Sequence, residues 1–568
     1  MSIAARTARL VAAALTIALG SAALAGCAPQ PNGADVPRII PAPASVAELD
    51  AAPFRLDGTS RVLVAGDAGS APELLAAQLR LATGAEVPVV AGPADGAGPA
   101  DVVIVVDADA EAADPAPAGS PAGSPADARA AAPADERYTL TTGADGARIE
   151  AASAAGAFWA TRSLLQLLPP GVLAPEPAEA PEAGWTAPAV RVDDVPRFAY
   201  RGAMLDVARH FLPVADVERY VDQLAMLKLN VLHLHLTDDQ GWRLRIDSWP
   251  ELTGIGAATS TGGDGGGFYT KDDYRRLVAY AAERHVTVVP EFDLPGHTNA
   301  ALSAYPELNC DGVAPAPYEG TEVGFSSLCA SPERAEATDR FLADVTRELA
   351  ELTPGPWIHL GGDESLATSE ADYLDLVRRM TRAGAATGKT IIGWHELGAS
   401  PELPPGTIGQ YWDYVTPREE TGSAADVRSF LAQGGRIVFS PADAAYLDMV
   451  YPDGPSFEGR ELGQDWADGA TSISEAYAWD PAAIVPGVGD ADILGVEAPI
   501  WTETMRTLPE VEFMAFPRIL AIAEIAWSPK APDGRDEAAF LAGVARYGER
   551  LDAMGVAYHR VPEVAWRD

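Results

Sequence analysis

From Tyr200 onward, short β-branched and apolar runs alternate with helix-length stretches, and few folds accommodate that order. The runs that predict strands are 203–205, 231–236, 286–290, 357–360, 390–394, 407–411, 436–439 and 493–498. Helical spacing follows most of them, over 214–228, 271–284, 332–352, 369–387, 424–433 and 509–526. Strand–helix alternation of this length predicts an α/β chain closed as a (β/α)8 TIM barrel over 197–568. Residues 37–196 read as a smaller α/β domain before it. Strands are expected around Val62–Val64 and Val102–Val106, and helices over 71–83 and 154–168. Residues 108–135 are almost all Ala, Pro, Gly, Ser and Asp, which cannot pack a core, so a disordered insertion is expected there.

A barrel of this kind works at the C-terminal ends of its strands, so reactive residues belong just after each run. They are there. Asp206 and Arg209 follow the first, and Asp238, Asp239 and Trp242 the second. Glu291, Asp293 and His297 follow the third, and Asp363 and Glu364 the fourth. Trp394 and Glu396 close the fifth, and Tyr411, Trp412 and Asp413 the sixth. Tyr446 and Asp448 come after the seventh, and Trp501, Thr502 and Glu503 after the eighth. Together they predict one polar pocket walled by aromatic rings. Such a mixture suits a sugar, whose apolar ring faces lie on indole while its hydroxyls need carboxylate and guanidinium partners. His233 and His235 alternate on the second strand and face one side; they read as hydrogen-bonded histidines beneath the pocket rather than metal ligands. No metal or cofactor is expected.

Within Trp357-Ile358-His359-Leu360-Gly361-Gly362-Asp363-Glu364, adjacent acids on a continuing strand would point to opposite faces. Gly361 and Gly362 can take backbone angles closed to other residues and so turn both acids into one cavity. Crowded carboxylates there cannot both ionise freely, which leaves one as a general acid.

The N-terminus predicts export. Arg6 and Arg9 precede an apolar run, 10–24, that is short for a membrane span and ends Leu24-Ala25-Gly26-Cys27. That ending resembles the lipobox of bacterial lipoproteins. The resemblance implies a signal peptide over 1–27, lipidation of Cys27, a tether over 28–36 and residence on the outer face of the cell membrane. The formal charge of −40 argues against nucleic acid or anionic lipid as partners, so membrane contact is expected only through that anchor. Cys310 and Cys329 bracket a loop and are an even pair suited to an oxidising exterior; a bridge and two buried thiols are both open.

Four long motifs carry a family resemblance. They are Arg201-Gly202-Ala203-Met204-Leu205-Asp206-Val207-Ala208-Arg209-His210-Phe211, His235-Leu236-Thr237-Asp238-Asp239-Gln240-Gly241-Trp242-Arg243, Pro290-Glu291-Phe292-Asp293-Leu294-Pro295-Gly296-His297 and His359-Leu360-Gly361-Gly362-Asp363-Glu364. In this order they resemble the β-N-acetylhexosaminidases of glycoside hydrolase family 20. The resemblance implies an exo-acting, retaining enzyme that releases terminal N-acetylglucosamine or N-acetylgalactosamine. The substrate's own acetamido oxygen would attack, through an oxazolinium ion; this family is among the exceptions to the two-carboxylate rule.

By the same resemblance, Glu364 is the acid/base and Asp363, expected to stay ionised, holds the acetamido N–H. Tyr446 donates to the acetamido carbonyl, and Asp238 and His297 form a pair supporting Glu364. Arg209, Asp448 and Glu503 bind ring hydroxyls, and Trp394, Trp412 and Trp501 wall the subsite. Asp239 and Asp293 read as structural. The run 262–267 reads as a flexible surface insertion, and the loops 259–267 and 108–135 as insertions that leave the site untouched. A lacto-N-biosidase of the same family and a non-catalytic sugar-binding lipoprotein are the alternatives. Oligomeric state and the choice between the two sugars are not set by the sequence.

Overall fold

The computed structural model describes residues 38–92, 96–107, 135–530 and 534–567. The expected signal peptide and tether, and the 108–135 insertion but for its last residue, lie outside them. No helix among the described residues is long and apolar enough to cross a membrane.

The barrel is closed and wholly parallel. Its strands are β1 (Tyr200–Asp206), β2 (Val231–His235), β3 (Thr287–Glu291), β4 (Trp357–His359), β5 (Thr390–Trp394), β6 (Ile408–Tyr411), β7 (Ile437–Phe439) and β8 (Ile493–Ile500). β1 pairs with β8 from Tyr200↔Gly495 to Leu205↔Ile500, which closes the ring. At Gly495 an added Cβ would come within 1.7 Å of the Tyr200 carbonyl oxygen, so this seam admits only glycine. Tyr200, Val231, Val289, Ile392, Ile408, Val438 and Leu494, one from each of seven strands, pack together with Trp357 of β4 against them. That apolar plug fills one level of the barrel.

The outer helices bury one stripe each. Ala335–Leu352 turns Phe341, Leu342, Val345, Leu349 and Leu352 inward, at helical spacing. The single helix expected over 509–526 is in fact two, Leu508–Ala515 and Arg518–Trp527. Pro517 lacks a backbone N–H and disfavours helical angles at the residue before it; Phe516 is accordingly extended, at φ −98° and ψ 132°.

The first domain has a seven-stranded mixed sheet, whose strand order begins Ser45–Glu48, Val190–Asp194, Tyr138–Gly143, Gly146–Ala151 and continues through Val102–Val106, Val62–Ala65 and Val89–Ala91. The expected strands and helices, Ala71–Thr83 and Ala154–Leu167, are present. The hairpin 138–151 was not foreseen. Buried ion pairs join this domain to the barrel. Lys228 lies 2.8 Å from Asp194, and both terminal nitrogens of Arg201 donate to Glu136, at 2.8 and 2.9 Å. Trp159 and Trp527 donate their indole N–H groups to the same two acids. Arg201 enters β1 and Lys228 precedes β2, so these pairs grip the end of the strands opposite the expected site.

Candidate active site

The mouth rests on a buried polar layer. His233 bridges Glu497 on β8 (2.9 Å) and Glu291 on β3 (3.1 Å). His359 reaches the other oxygen of Glu291 at 2.9 Å, and Gln410 donates to Glu497 at 2.7 Å. The inward alternation on β2 delivers His233 and His235 to one side, as expected. His235 uses Nδ1 on Glu291 and Nε2 on Asp238, the latter at 2.9 Å. Among the described residues, the sets close enough to ligate an ion are His233–Glu291–His359 and three overlapping ones around Asp238, Asp293 and His297. Hydrogen bonds of His235 with Glu291 and Asp238, and of His297 with Asp238, link these sets, and the close contacts of His233 and His359 with Glu291 complete the network.

Above this layer the Asp363–Glu364 turn is built as the glycines imply. Gly361 has φ 65° and Gly362 φ 117°, and added Cβ atoms would meet Asp293 Oδ1 at 1.7 Å and Leu397 Cδ2 at 2.4 Å. Glu364 itself has φ 45° and His297 φ 52°, strained angles for side-chain-bearing residues. The result is convergence. His297 Nε2 lies 3.5 Å from Asp363 Oδ2 and 3.5 Å from Glu364 Oε2, while its Nδ1 lies 3.2 Å from Asp238 Oδ1. Burial works against charge on His297, but Asp238, Asp363 and Asp293 hold its pKa well above the usual range. Burial likewise opposes ionisation of Asp238, yet Arg209 and His297 hold that carboxyl far below its ordinary value.

Asp363 departs from expectation. Burial pushes it up to about 7, with His297 pulling down and Glu396 and Glu364 pushing further up. Burial and these acids outweigh the pull of His297, so Asp363 resists ionisation. Glu396, which sequence reasoning placed at the mouth without a role, is pushed to about 7 by burial, while Trp412 donates to both its oxygens.

Arg209 lies 2.8 Å from Asp238 and 3.5 Å from Asp206, with its guanidinium 4.7 Å from the Trp501 ring centroid. Asp448 is fully buried and accepts the Trp501 backbone N–H; burial and then Glu503 drive its pKa well up. Met204, Trp394, Tyr446 and Trp501 form one wall with Trp412 packed against it. Burial, then Asp448 and Asp363, raise the Tyr446 phenol well above its ordinary value. Trp466, on the loop between β7 and β8, was missed. It stands 43% exposed with its ring edge to Tyr446 (5.8 Å) and Trp412 (6.0 Å), and no strand-end signal marks it.

Buried polar atoms without a hydrogen-bond partner among the described residues gather here: Asp363 Oδ1, Asp448 Oδ2, Glu503 Oε2, Arg209 Nε and Trp394 Nε1. Native interiors rarely leave such atoms unpaired, so their clustering marks a surface made for a polyhydroxylated ligand. Asp239 fits its structural reading, accepting from the Asn299 N–H and the Ser326 hydroxyl; Asp293 accepts from the Gly362 N–H.

Two loops frame the mouth. Cys310 and Cys329 are bonded, which resolves the open pair. The 259–267 segment does not leave the site untouched. Thr261 donates its N–H to the Arg209 carbonyl, Asp264 pairs with His210 and Arg506, and the Arg243 guanidinium holds Thr259 and Ser260. Glycine content suggested mobility; hydrogen bonding to the backbone of a site residue overrides it.

The geometry can therefore be set beside known proteins. Residues 198–530 match the catalytic-domain model of glycosyl hydrolase family 20, and residues 36–195 match domain 2 of that family. The chain is 39% identical to a β-N-acetylhexosaminidase of Cellulomonas fimi, over 93% of this chain and 97% of that one. It superposes on the family-20 β-N-acetylhexosaminidase of Streptomyces coelicolor with TM-score 0.82 and 41% identity, covering 94% of this chain and 99% of that one. A mutant Streptomyces plicatus β-hexosaminidase solved with its product, GlcNAc, gives TM-score 0.82 at 40% identity, over 94% of this chain and 98% of that one. With two domains matched end to end and the acids converging at the barrel mouth, the chain belongs to glycoside hydrolase family 20.

Proposed function

We propose that this mouth removes terminal β-linked N-acetylhexosamine residues with retention, the substrate's acetamido oxygen acting as nucleophile. The observation that carries the reading is the convergence of Asp363 and Glu364 on one imidazole nitrogen, with the buried Tyr446 phenol within electrostatic reach of Asp363. Sugar binding alone needs no carboxylic acid poised to give up a proton.

Glu364, the more exposed of the two acids, gives its proton to the leaving oxygen and later takes one from water. The acetamido group sits beside the reacting carbon, where intramolecular groups reach effective molarities of roughly 10⁵–10⁸ M, so a weak nucleophile suffices. Positive charge grows on the amide nitrogen as the ring closes. Asp363 faces that charge, and contact with a cation offsets the burial that holds its pKa near 7. Tyr446 donates to the acetamido oxygen. Arg209, Asp448 and Glu503 hold the ring hydroxyls, and Trp394, Trp412 and Trp501 enclose the sugar. Two displacements at the anomeric carbon retain its configuration.

We further propose that the chain is exported and anchored through lipidated Cys27, the reading supported by the lipobox-like Leu24-Ala25-Gly26-Cys27. Membrane fractionation of the wild type and Cys27→Ser tests it: loss of membrane association in the variant supports the anchor, and unchanged partitioning contradicts it.

For the catalytic reading, Glu364→Gln should abolish cleavage of β-N-acetylglucosaminides with poor leaving groups while sparing activated ones. Full activity on the poor substrates would remove Glu364 from the role.

A further inference from the structure

We propose that His235 is a positioning residue for acid catalysis, clamped between two carboxylates so that it fixes Asp238, which in turn fixes His297 against Asp363 and Glu364. The chain of contacts is continuous. Glu291, on β3, bonds His235 Nδ1; His235 Nε2 lies 2.9 Å from Asp238 Oδ2; Asp238 Oδ1 lies 3.2 Å from His297 Nδ1; and His297 Nε2 stands 3.5 Å from both acids. Every ring nitrogen of His235 faces a carboxylate at hydrogen-bond distance, and the side chain is fully buried. Only the doubly protonated ring satisfies both oxygens, since a neutral ring would turn a lone pair toward one of them.

The groups packed around His235 agree. Glu291 on β3, Asp238 after β2, Asp206 at the end of β1 and Asp293 after β3 are all acidic. The Trp501 ring closes the remaining side, edge-on at 4.8 Å. Burial opposes the charge, but Glu291, Asp238 and Asp206 raise the His235 pKa well above its ordinary value, while Asp293 is itself held towards its neutral form by burial and Asp363. The cations near this path are Arg209, on Asp238 Oδ2, and His233, raised to about 9 by Glu497 and Glu291 against burial; His359, which also reaches Glu291, is lowered by burial and stays neutral. A permanent cation at His235 keeps Asp238 an acceptor on both oxygens. His297 must then present its Nδ1–H downward, which leaves Nε2 for the reacting pair.

The inference rests on Glu364 being the acid, so its test runs beside Glu364→Gln. In His235→Gln, kcat/KM should fall about ten- to a hundredfold for a substrate with a poor leaving group. It should change less than about threefold for an activated aryl glycoside, and the alkaline limb of the pH profile should move. Equal losses on both substrates with an unmoved profile would reduce His235 to a packing residue and overturn the proposal. If Glu364→Gln itself lacks leaving-group dependence, the assignment of the acid fails instead. A neutron structure of the wild type needs no variant: deuterons on both ring nitrogens are expected, and one on a single nitrogen would contradict the proposal.

Discussion

Trp412 donates its indole N–H to both carboxylate oxygens of Glu396, at 3.0 Å each. One aromatic wall of the sugar site is thereby pinned to an acid that lies beside the reacting pair. The bond also favours the charged form of a carboxyl that burial pushes up to about 7.

Trp412→Phe keeps an aromatic face, smaller than the indole, and removes the donor. Glu396 should then titrate higher and hold its proton further into the neutral range. A hydrogen bond to a charged group contributes about 1.5–3 kcal/mol, so kcat/KM should drop about ten- to a hundredfold. Steady-state kinetics against pH reads both effects; an unchanged profile would separate Glu396 from the site's electrostatics.

Asp363 must be ionised to face a growing positive charge, yet burial holds it near 7. Activity should therefore fall as pH drops through about 7. That limb of kcat/KM belongs to the free enzyme and, with Glu396 in the same range, to the coupled set rather than one residue. Asp363→Asn should cost about 10²–10³-fold and weaken a thiazoline mimic of the ring-closed intermediate in parallel. Inhibition left at wild-type strength would count against acetamido participation.

Arg209 is buried, with Asp206 and Asp238 at its guanidinium and the Trp501 ring against it. Arg209→Lys retains charge but loses the planar fork and the stacking. KM for an N-acetylglucosaminide should rise tenfold or more, with kcat less affected. A variant binding like the wild type would take Arg209 out of sugar recognition.

The Lys228–Asp194 pair joins the first domain to the barrel, away from the mouth. Lys228→Met leaves Asp194 buried with its ammonium partner removed, and breaking such a pair costs about 3–5 kcal/mol. Denaturant unfolding should show that loss, with turnover per folded molecule near wild type. Unchanged stability would mean the junction is held by packing alone.

Much of this was legible in the chain because two periodicities carry it. The strand runs were placed within a few residues, since β-branched stretches bounded by turns leave little freedom, and the rule for barrel mouths then located Arg209, Asp238, His297, Asp363, Glu364, Tyr446, Asp448 and Trp501 together. What periodicity does not encode was missed. Trp466 belongs to an irregular loop, and the docking of 259–267 depends on Thr261 meeting a carbonyl that only the folded chain presents. The raised pKa of Asp363 follows from its burial and its neighbours in the fold, and adjacency in sequence says only that two acids are near.

The most direct measurement is the turnover of a matched pair of aryl β-glycosides that differ only in carrying a 2-acetamido or a 2-hydroxyl group. The acetamido sugar should be hydrolysed and the hydroxyl sugar should be essentially inert, because the attacking oxygen belongs to the arm it lacks. Comparable turnover of both would mean that a protein carboxylate attacks the anomeric carbon, and substrate assistance at this site would be ruled out.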